Sequence, residues 1–124
     1  MNFSQAPEFQ KDVKRLAKKW RSIPDDVEAA KQYILPLYIE MAPDVIVEEY
    51  RRGFSAGKTA AILHTRDGAE VVKMRLDVAD LGRNDKIRIV FVAVKMQRTI
   101  TFIELYAKNE KSREDSNRIR KYFG

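Results

Sequence analysis

Three runs decide the fold of this chain: Glu70-Val-Val-Lys73-Met-Arg75-Leu76, Lys86-Ile-Arg88-Ile-Val-Phe91-Val-Ala-Val94, and Thr99-Ile-Thr-Phe-Ile-Glu104-Leu-Tyr106-Ala-Lys108-Asn-Glu-Lys111. Each is rich in β-branched and aromatic residues, and short polar links at Asp80–Asp85 and Met96-Gln97 separate them. Such runs read as strands over 70–76, 86–95 and 98–107, and short links favour antiparallel neighbours. Charged residues are disfavoured inside strands unless they face water or a ligand. The cations and the tyrosine in these runs therefore mark a face that meets something other than core.

Side chains alternate along a strand, so Val72, Met74 and Leu76 share one face, and Val71, Lys73 and Arg75 the other. In the next run Ile87, Ile89, Phe91 and Ala93 share a face, leaving Arg88 with Val90. In the last, alternation places Tyr106 with Glu104 and Phe102, and Lys108 falls just past the strand end. With a suitable register, Lys73, Arg75, Arg88 and Tyr106 gather on one face of the sheet.

Working outward, a further strand is expected near Thr59–Thr65, followed by the turn signal Arg66-Asp67-Gly68. Upstream, Phe9, Val13, Leu16 and Trp20 recur at helical spacing, predicting a helix over 7–21 with Pro7 in its first turn. Ser22-Ile-Pro24-Asp25-Asp26 opens a second helix, which Pro36 kinks or ends. The two helices form a hairpin, with Trp20 in the packing. Met1–Ser4 fits an edge strand. Ser112-x-x-Asp115 resembles a capping box before a terminal helix carrying Ile119, Tyr122 and Phe123. Residues 37–58 fit either a short helix or a packed irregular segment. The expected architecture is α+β, one domain over 1–124: an N-terminal helix hairpin on a twisted, mainly antiparallel sheet, with a C-terminal helix.

Composition narrows the function classes. With 124 residues the chain is long enough to bury a core without disulfides. It has no cysteine, which excludes thiolate metal sites and a cysteine nucleophile. No apolar run approaches the roughly 20 residues of a membrane span, and the first ten residues lack a signal-peptide pattern, so a cytoplasmic address is expected. The net charge is +6, placed unevenly: residues 1–62 hold 10 Lys and Arg against 9 Asp and Glu, residues 63–124 hold 14 against 9. The basic excess in the half that carries the strands favours a polyanionic partner.

A group of Lys, Arg and Tyr suits RNA. Guanidinium forks grip phosphate oxygens at two points, and an aromatic ring stacks on an unpaired base. RNA cleavage needs no cofactor when the ribose 2′-hydroxyl attacks the adjacent phosphorus. A base must take the hydroxyl proton, an acid must protonate the leaving 5′-oxygen, and cations must hold the developing charge. A lysine crowded by other cations has its pKa pushed down, which suits it to that exchange. The other candidates read as structural. His64 is the only histidine, so no His–His acid-base pair exists within one chain. Asp25, Asp26 and Glu28 are ordinary acidic residues at a helix start. Gly53-Phe-Ser-Ala-Gly57-Lys58-Thr59 has three residues between its glycines where a phosphate loop has four.

The order of these features resembles a known family. Phe9-Gln-Lys-Asp-Val-Lys-Arg-Leu-Ala-Lys-Lys-Trp20 with Arg21-Ser-Ile-Pro-Asp-Asp26 is similar to the opening helix hairpin of RelE/HigB-type toxins of the RelE/ParE superfamily. The Lys73-Met-Arg75 strand, the segment Gly82-Arg-Asn-Asp-Lys-Ile-Arg88-Ile-Val-Phe91, and Ile103-Glu-Leu-Tyr-Ala-Lys-Asn-Glu-Lys111 resemble the rest of that fold. Residues 37–58 look like an insertion. The resemblance implies a toxin of a bacterial type II toxin–antitoxin pair, a ribosome-dependent mRNA endoribonuclease that needs no metal or other cofactor. Its partners are a cognate antitoxin protein, the ribosome and mRNA. By position, Lys73 and Arg75 would hold phosphate or exchange the proton, Arg88 would stabilise the transition state, and Tyr106 would stack on a base or orient the 2′-hydroxyl. Lys86, Lys108 and Lys111 would bind RNA. Asn84-Asp85-Lys86 replaces the glycine-rich turn usual before the arginine, and the superfamily includes ParE-like gyrase inhibitors. A gyrase-inhibiting toxin and a non-catalytic nucleic-acid-binding or regulatory module are thus the alternatives.

Overall fold

The computed structural model describes residues 2–38, 60–81 and 86–124. The expected insertion lies almost wholly outside them, as do the Gly53–Thr59 loop and the turn Gly82–Asp85. Five strands form one mixed sheet: β1 (Asn2–Gln5), β2 (Ala60–Arg66), β3 (Ala69–Arg75), β4 (Ile87–Val94) and β5 (Thr99–Ala107). Their spatial order is β1-β5-β4-β3-β2. β2 through β5 form antiparallel ladders, and β1 lies parallel to β5 on the outer edge. Three α-helices accompany the sheet among the described residues: α1 (Pro7–Ala17), α2 (Ile23–Ile34) and α3 (Ser116–Phe123). The class is α+β. Among the described residues no helix is long and apolar enough to cross a membrane.

Local chemistry accounts for the boundaries. Pro7 and Pro24 sit in the first turns of α1 and α2, where a missing N–H costs nothing. The α-helical pattern stops at Ile34 and gives way to a 3-10 turn over Leu35–Tyr38, which contains Pro36. α1 ends at Ala17, four residues before its expected end, and the turn through Ser22 closes with Ile23 N–H on the Trp20 carbonyl at 3.1 Å. Gly68 has φ +72° in the β2–β3 turn, a conformation that glycine adopts without strain. One cap differs from expectation. Asp115, rather than Ser112, begins the terminal helix: its carboxylate accepts the N–H groups of Asn117 (3.0 Å) and Arg118 (3.1 Å).

The two faces of the sheet are packed differently. α1, α2 and the 3-10 turn cover one, where Phe9 stacks on Phe102 (5.3 Å between centroids) and Phe91 meets Phe102 (6.2 Å) and Tyr38 (6.4 Å) edge-on. Burying these rings with Val72, Ile89 and Leu105 contributes to the apolar driving force of this core. α3 lies over the other face, with the Phe123 ring stacked on His64. β1 stops at Gln5, paired with Phe102, so among the described residues β5 beyond that point has no strand on its outer edge. Two side chains satisfy the exposed backbone there. The Asp12 carboxylate of α1 accepts the Leu105 N–H at 3.0 Å, and the Arg118 guanidinium of α3 donates to the Ile103 carbonyl at 3.0 Å. Asp12 and Arg118 also pair with each other at 2.6 Å, tying both helices to one strand edge.

Candidate functional site

Register brings the predicted residues together. Arg75 is the cross-strand partner of Arg88, and Arg88 is the partner of Tyr106. The three form a row across β3, β4 and β5. The next row on the same face is Lys73, Val90 and Glu104. Directly opposed residues have Cβ atoms roughly 5 Å apart, so each side chain of the first row touches its neighbour's space. Alternation predicted this face correctly for β3 and β4. For β5 it placed Phe102 with Tyr106, and the structure corrects that. The ladder slips between Val90 and Phe91, so Val90 faces Glu104 while Phe91 faces Phe102. One extra residue on β5, Ile103, reverses the alternation and sends Phe102 into the core under the helices.

The face is of mixed charge. Lys73 pairs with Glu114 at 3.1 Å, and Arg75 reaches Asp77 at 3.6 Å. Lys73 therefore meets a carboxylate where the sequence suggested crowding by cations. Glu104 is 1% exposed. It binds the Lys111 ammonium with one oxygen and accepts the Asp115 N–H at 2.8 Å with the other. Segment 108–115 is thus folded back over the Glu104 end of the face and held by that carboxylate. Burial pushes the Glu114 carboxyl up, but its backbone hydrogen bond and Lys73 outweigh that and leave it below its ordinary value.

Tyr106 is the residue most affected. It is 2% exposed, and the Lys111 ammonium sits 5.3 Å from its ring centre. Burial, then the charges of Glu114 and Glu104, push its phenol up to about 12, with Arg88 pulling the other way. At neutral pH it is a hydrogen-bond donor. Its ring offers no face to a base while segment 108–115 is in place. Arg75 and Lys73 are half-buried, as is Arg88, which donates weakly to the Ile87 carbonyl at 3.4 Å. Lys86, Lys108 and Lys111 are exposed at the same end of the sheet, where the Lys108 N–H bonds the Lys86 carbonyl at 2.7 Å.

Sequence reasoning passed over Glu104 and Glu114. The signal for Glu104 was present: a carboxylate between Ile103 and Leu105, on the same side as Tyr106, needs a cationic partner. Glu114 had no such signal, because its position depends on how the chain turns back after β5. The remaining candidates stay structural: Trp20 packs partly buried against the core, and Asp26 accepts the Ala79 N–H and the Ser22 hydroxyl. A depression of about 370 Å³ between β2 and α3, lined by His64, Arg66, Arg120 and Phe123 among others, contains none of the predicted residues. Among the described residues no group of three or more His, Asp or Glu side chains is placed to hold a metal ion.

The chain matches no family model, no curated protein and no solved structure.

Proposed function

We propose that this protein is a toxin of the RelE/ParE type that cleaves mRNA on the ribosome and is neutralised by a cognate antitoxin protein. The observation that carries the reading is the row Arg75–Arg88–Tyr106 with Lys73 one step behind it. Two adjacent guanidiniums form a cradle for the two non-bridging oxygens of one phosphate. The Lys73–Glu114 pair beside them holds a proton donor and a proton acceptor 3.1 Å apart. In the step envisaged, the 2′-oxygen forms a bond to phosphorus and the bond from phosphorus to the 5′-oxygen breaks. Glu114 takes the 2′-hydroxyl proton and Lys73 protonates the leaving oxygen. Arg75 and Arg88 hold the charge that builds on the phosphate, and Tyr106 donates a hydrogen bond from its retained proton. The order of elements, two helices, a mainly antiparallel sheet and a terminal helix, supports placing the chain in that superfamily.

One observation favours a second reading. The buried Tyr106 ring and the carboxylates at Glu104 and Glu114 leave less of this face open to RNA than a bare cationic surface would. A toxin that binds gyrase, or a regulatory binding module, needs no open phosphate cradle. Inducible expression in bacteria, with growth followed and transcript 5′ ends mapped, separates the readings. Growth arrest with new cuts inside translated regions is the expected result. Arrest with intact messages would move the assignment to gyrase, and normal growth with soluble protein would remove the toxin reading.

A further inference from the structure

Among the described residues, the outer face of α1 is a cationic surface that the proposed site does not use. Residues 10–21 contain six cations (Lys11, Lys14, Arg15, Lys18, Lys19 and Arg21) and one acid, Asp12. That acid is turned inward to Arg118 and the β5 edge, so it neutralises nothing outside. Phe9 and Leu16 fix the buried side of the helix. At 3.6 residues per turn, Lys11, Lys14, Arg15 and Lys18 then fall within an arc of about 100° on the opposite side. All four are exposed, as are Lys19 and Arg21 just past the helix. Lys11 to Lys18 spans about 10 Å along the axis, the length of two to three phosphates on one strand. The acids at helical spacing are engaged elsewhere: Glu8, three residues before Lys11, is held by Lys121 and Tyr122, Asp12, three before Arg15, by Arg118, and no acid follows the four cations at i+3 or i+4. Among the described residues Arg15 pairs with Glu110 at 2.5 Å. That contact sets the helix beside the loop bearing Lys108 and Lys111, so the cationic surface runs from the sheet end onto α1.

We infer that the outer face of α1 is a docking surface for the phosphodiester backbone of a base-paired nucleic acid, separate from the Arg75–Arg88–Tyr106 row. Evenly spaced point charges without aromatic or amide groups among them suit backbone contacts that carry no sequence preference. The inference does not depend on cleavage. It gives the protein a means of holding a folded polynucleotide through α1 whatever happens at the sheet.

The test is fluorescence-anisotropy binding of a 20-base-pair RNA duplex, and of a DNA duplex of equal length, across a salt series. Four phosphate contacts predict an affinity loss of about 150-fold between 50 and 200 mM salt. The triple variant Lys11→Gln, Lys14→Gln, Lys18→Gln should flatten the log–log salt slope by about 2.7, while the matching Lys→Arg variant keeps it. Circular dichroism establishes that each variant is folded; these exposed positions make few native contacts. Arg88→Ala, which removes the central cation of the cleavage site, should change the slope by less than about one contact, so failure of one reading leaves the other standing. A flat salt response of the wild type, or a triple variant with the wild-type slope, would overturn the inference. Polyglutamate binding as tightly as the duplex at equal salt would overturn it in favour of an acidic protein partner.

Discussion

Replacing Asp12 by alanine should destabilise the protein far more than its position on a surface helix suggests. Asp12 and Arg118 are separated by more than a hundred residues and pair at 2.6 Å, with side-chain exposures of 13% and 17%. Asp12→Ala removes the countercharge of Arg118 and leaves the Leu105 N–H on the bare strand edge without an acceptor. Burial disfavours the Arg118 charge, and the Asp12 hydrogen bond and charge more than offset that. Breaking a buried pair from one side costs 3–5 kcal/mol, and the residual exposure here places the value at the lower end, about 3 kcal/mol. For a domain of this size about 4 °C per kcal/mol is expected, so the melting temperature should fall by about 12 °C. Thermal and urea unfolding followed by circular dichroism reads this directly. Glu28→Ala, which breaks the exposed Lys31–Glu28 pair, is the control and should cost less than about 1 kcal/mol. The double variant Asp12→Leu, Arg118→Met should recover the part of the loss due to the stranded charge, while the Leu105 N–H and the Ile103 carbonyl stay without these partners. A fall of less than about 2 °C for Asp12→Ala would show that α1, β5 and α3 do not meet as described.

Three further outcomes are expected. Arg88→Ala should fold normally and lower cleavage or toxicity by a factor of about 10² to 10³, the usual effect of removing one group that holds transition-state charge; full toxicity in a folded variant would remove Arg88 from the site. Tyr106, with its phenol pushed up to about 12, should give a late component in an ultraviolet titration of the five tyrosines, and that component should vanish in Tyr106→Phe while the one raised by Glu8 at Tyr122 stays. The folded state keeps this proton more tightly than the unfolded chain, so stability should be intact below pH 10 and decline as pH rises from about 10 through 12. Gly68→Ala should cost about 1–2 kcal/mol, because φ +72° is strained for any side chain even though its Cβ would meet only Met96 Cγ, at an ordinary contact distance of 3.9 Å; an unchanged urea midpoint would refute that conformation.

Most of the architecture was legible because periodicity is a strong signal where one face of an element is buried. The faces of the strands around Lys73 and Arg88 follow from alternation, and Phe9 and Leu16 mark the buried side of α1. What the sequence concealed are features that depend on tertiary context. Nothing local shows that β1 pairs parallel to β5, since a four-residue strand carries too little pattern to choose a partner. Nor does it show that Asp12, spaced like a solvent-facing residue beside Val13, turns inward to serve a strand edge left open by the end of β1.

The site divides along the same line. Its cationic row was legible because Arg75, Arg88 and Tyr106 lie at positions that antiparallel pairing brings into register. Of its carboxylates, Glu104 shares the Tyr106 face by alternation alone, whereas Glu114 is set by a chain reversal. The bulge at Ile103 removes Phe102 from that face. The turn after β5 then brings Lys111 back to Glu104 and Glu114 to Lys73. A buried carboxylate is stable only with partners, so Glu104 holds segment 111–115 in place and the segment in turn buries Tyr106. The same turn that brings Glu114 to Lys73 therefore restricts access to the row beside it. Segment 108–115 closes the β5 end of the row, and at its β3 end Arg75 keeps 35% of its side chain exposed beside Asp77.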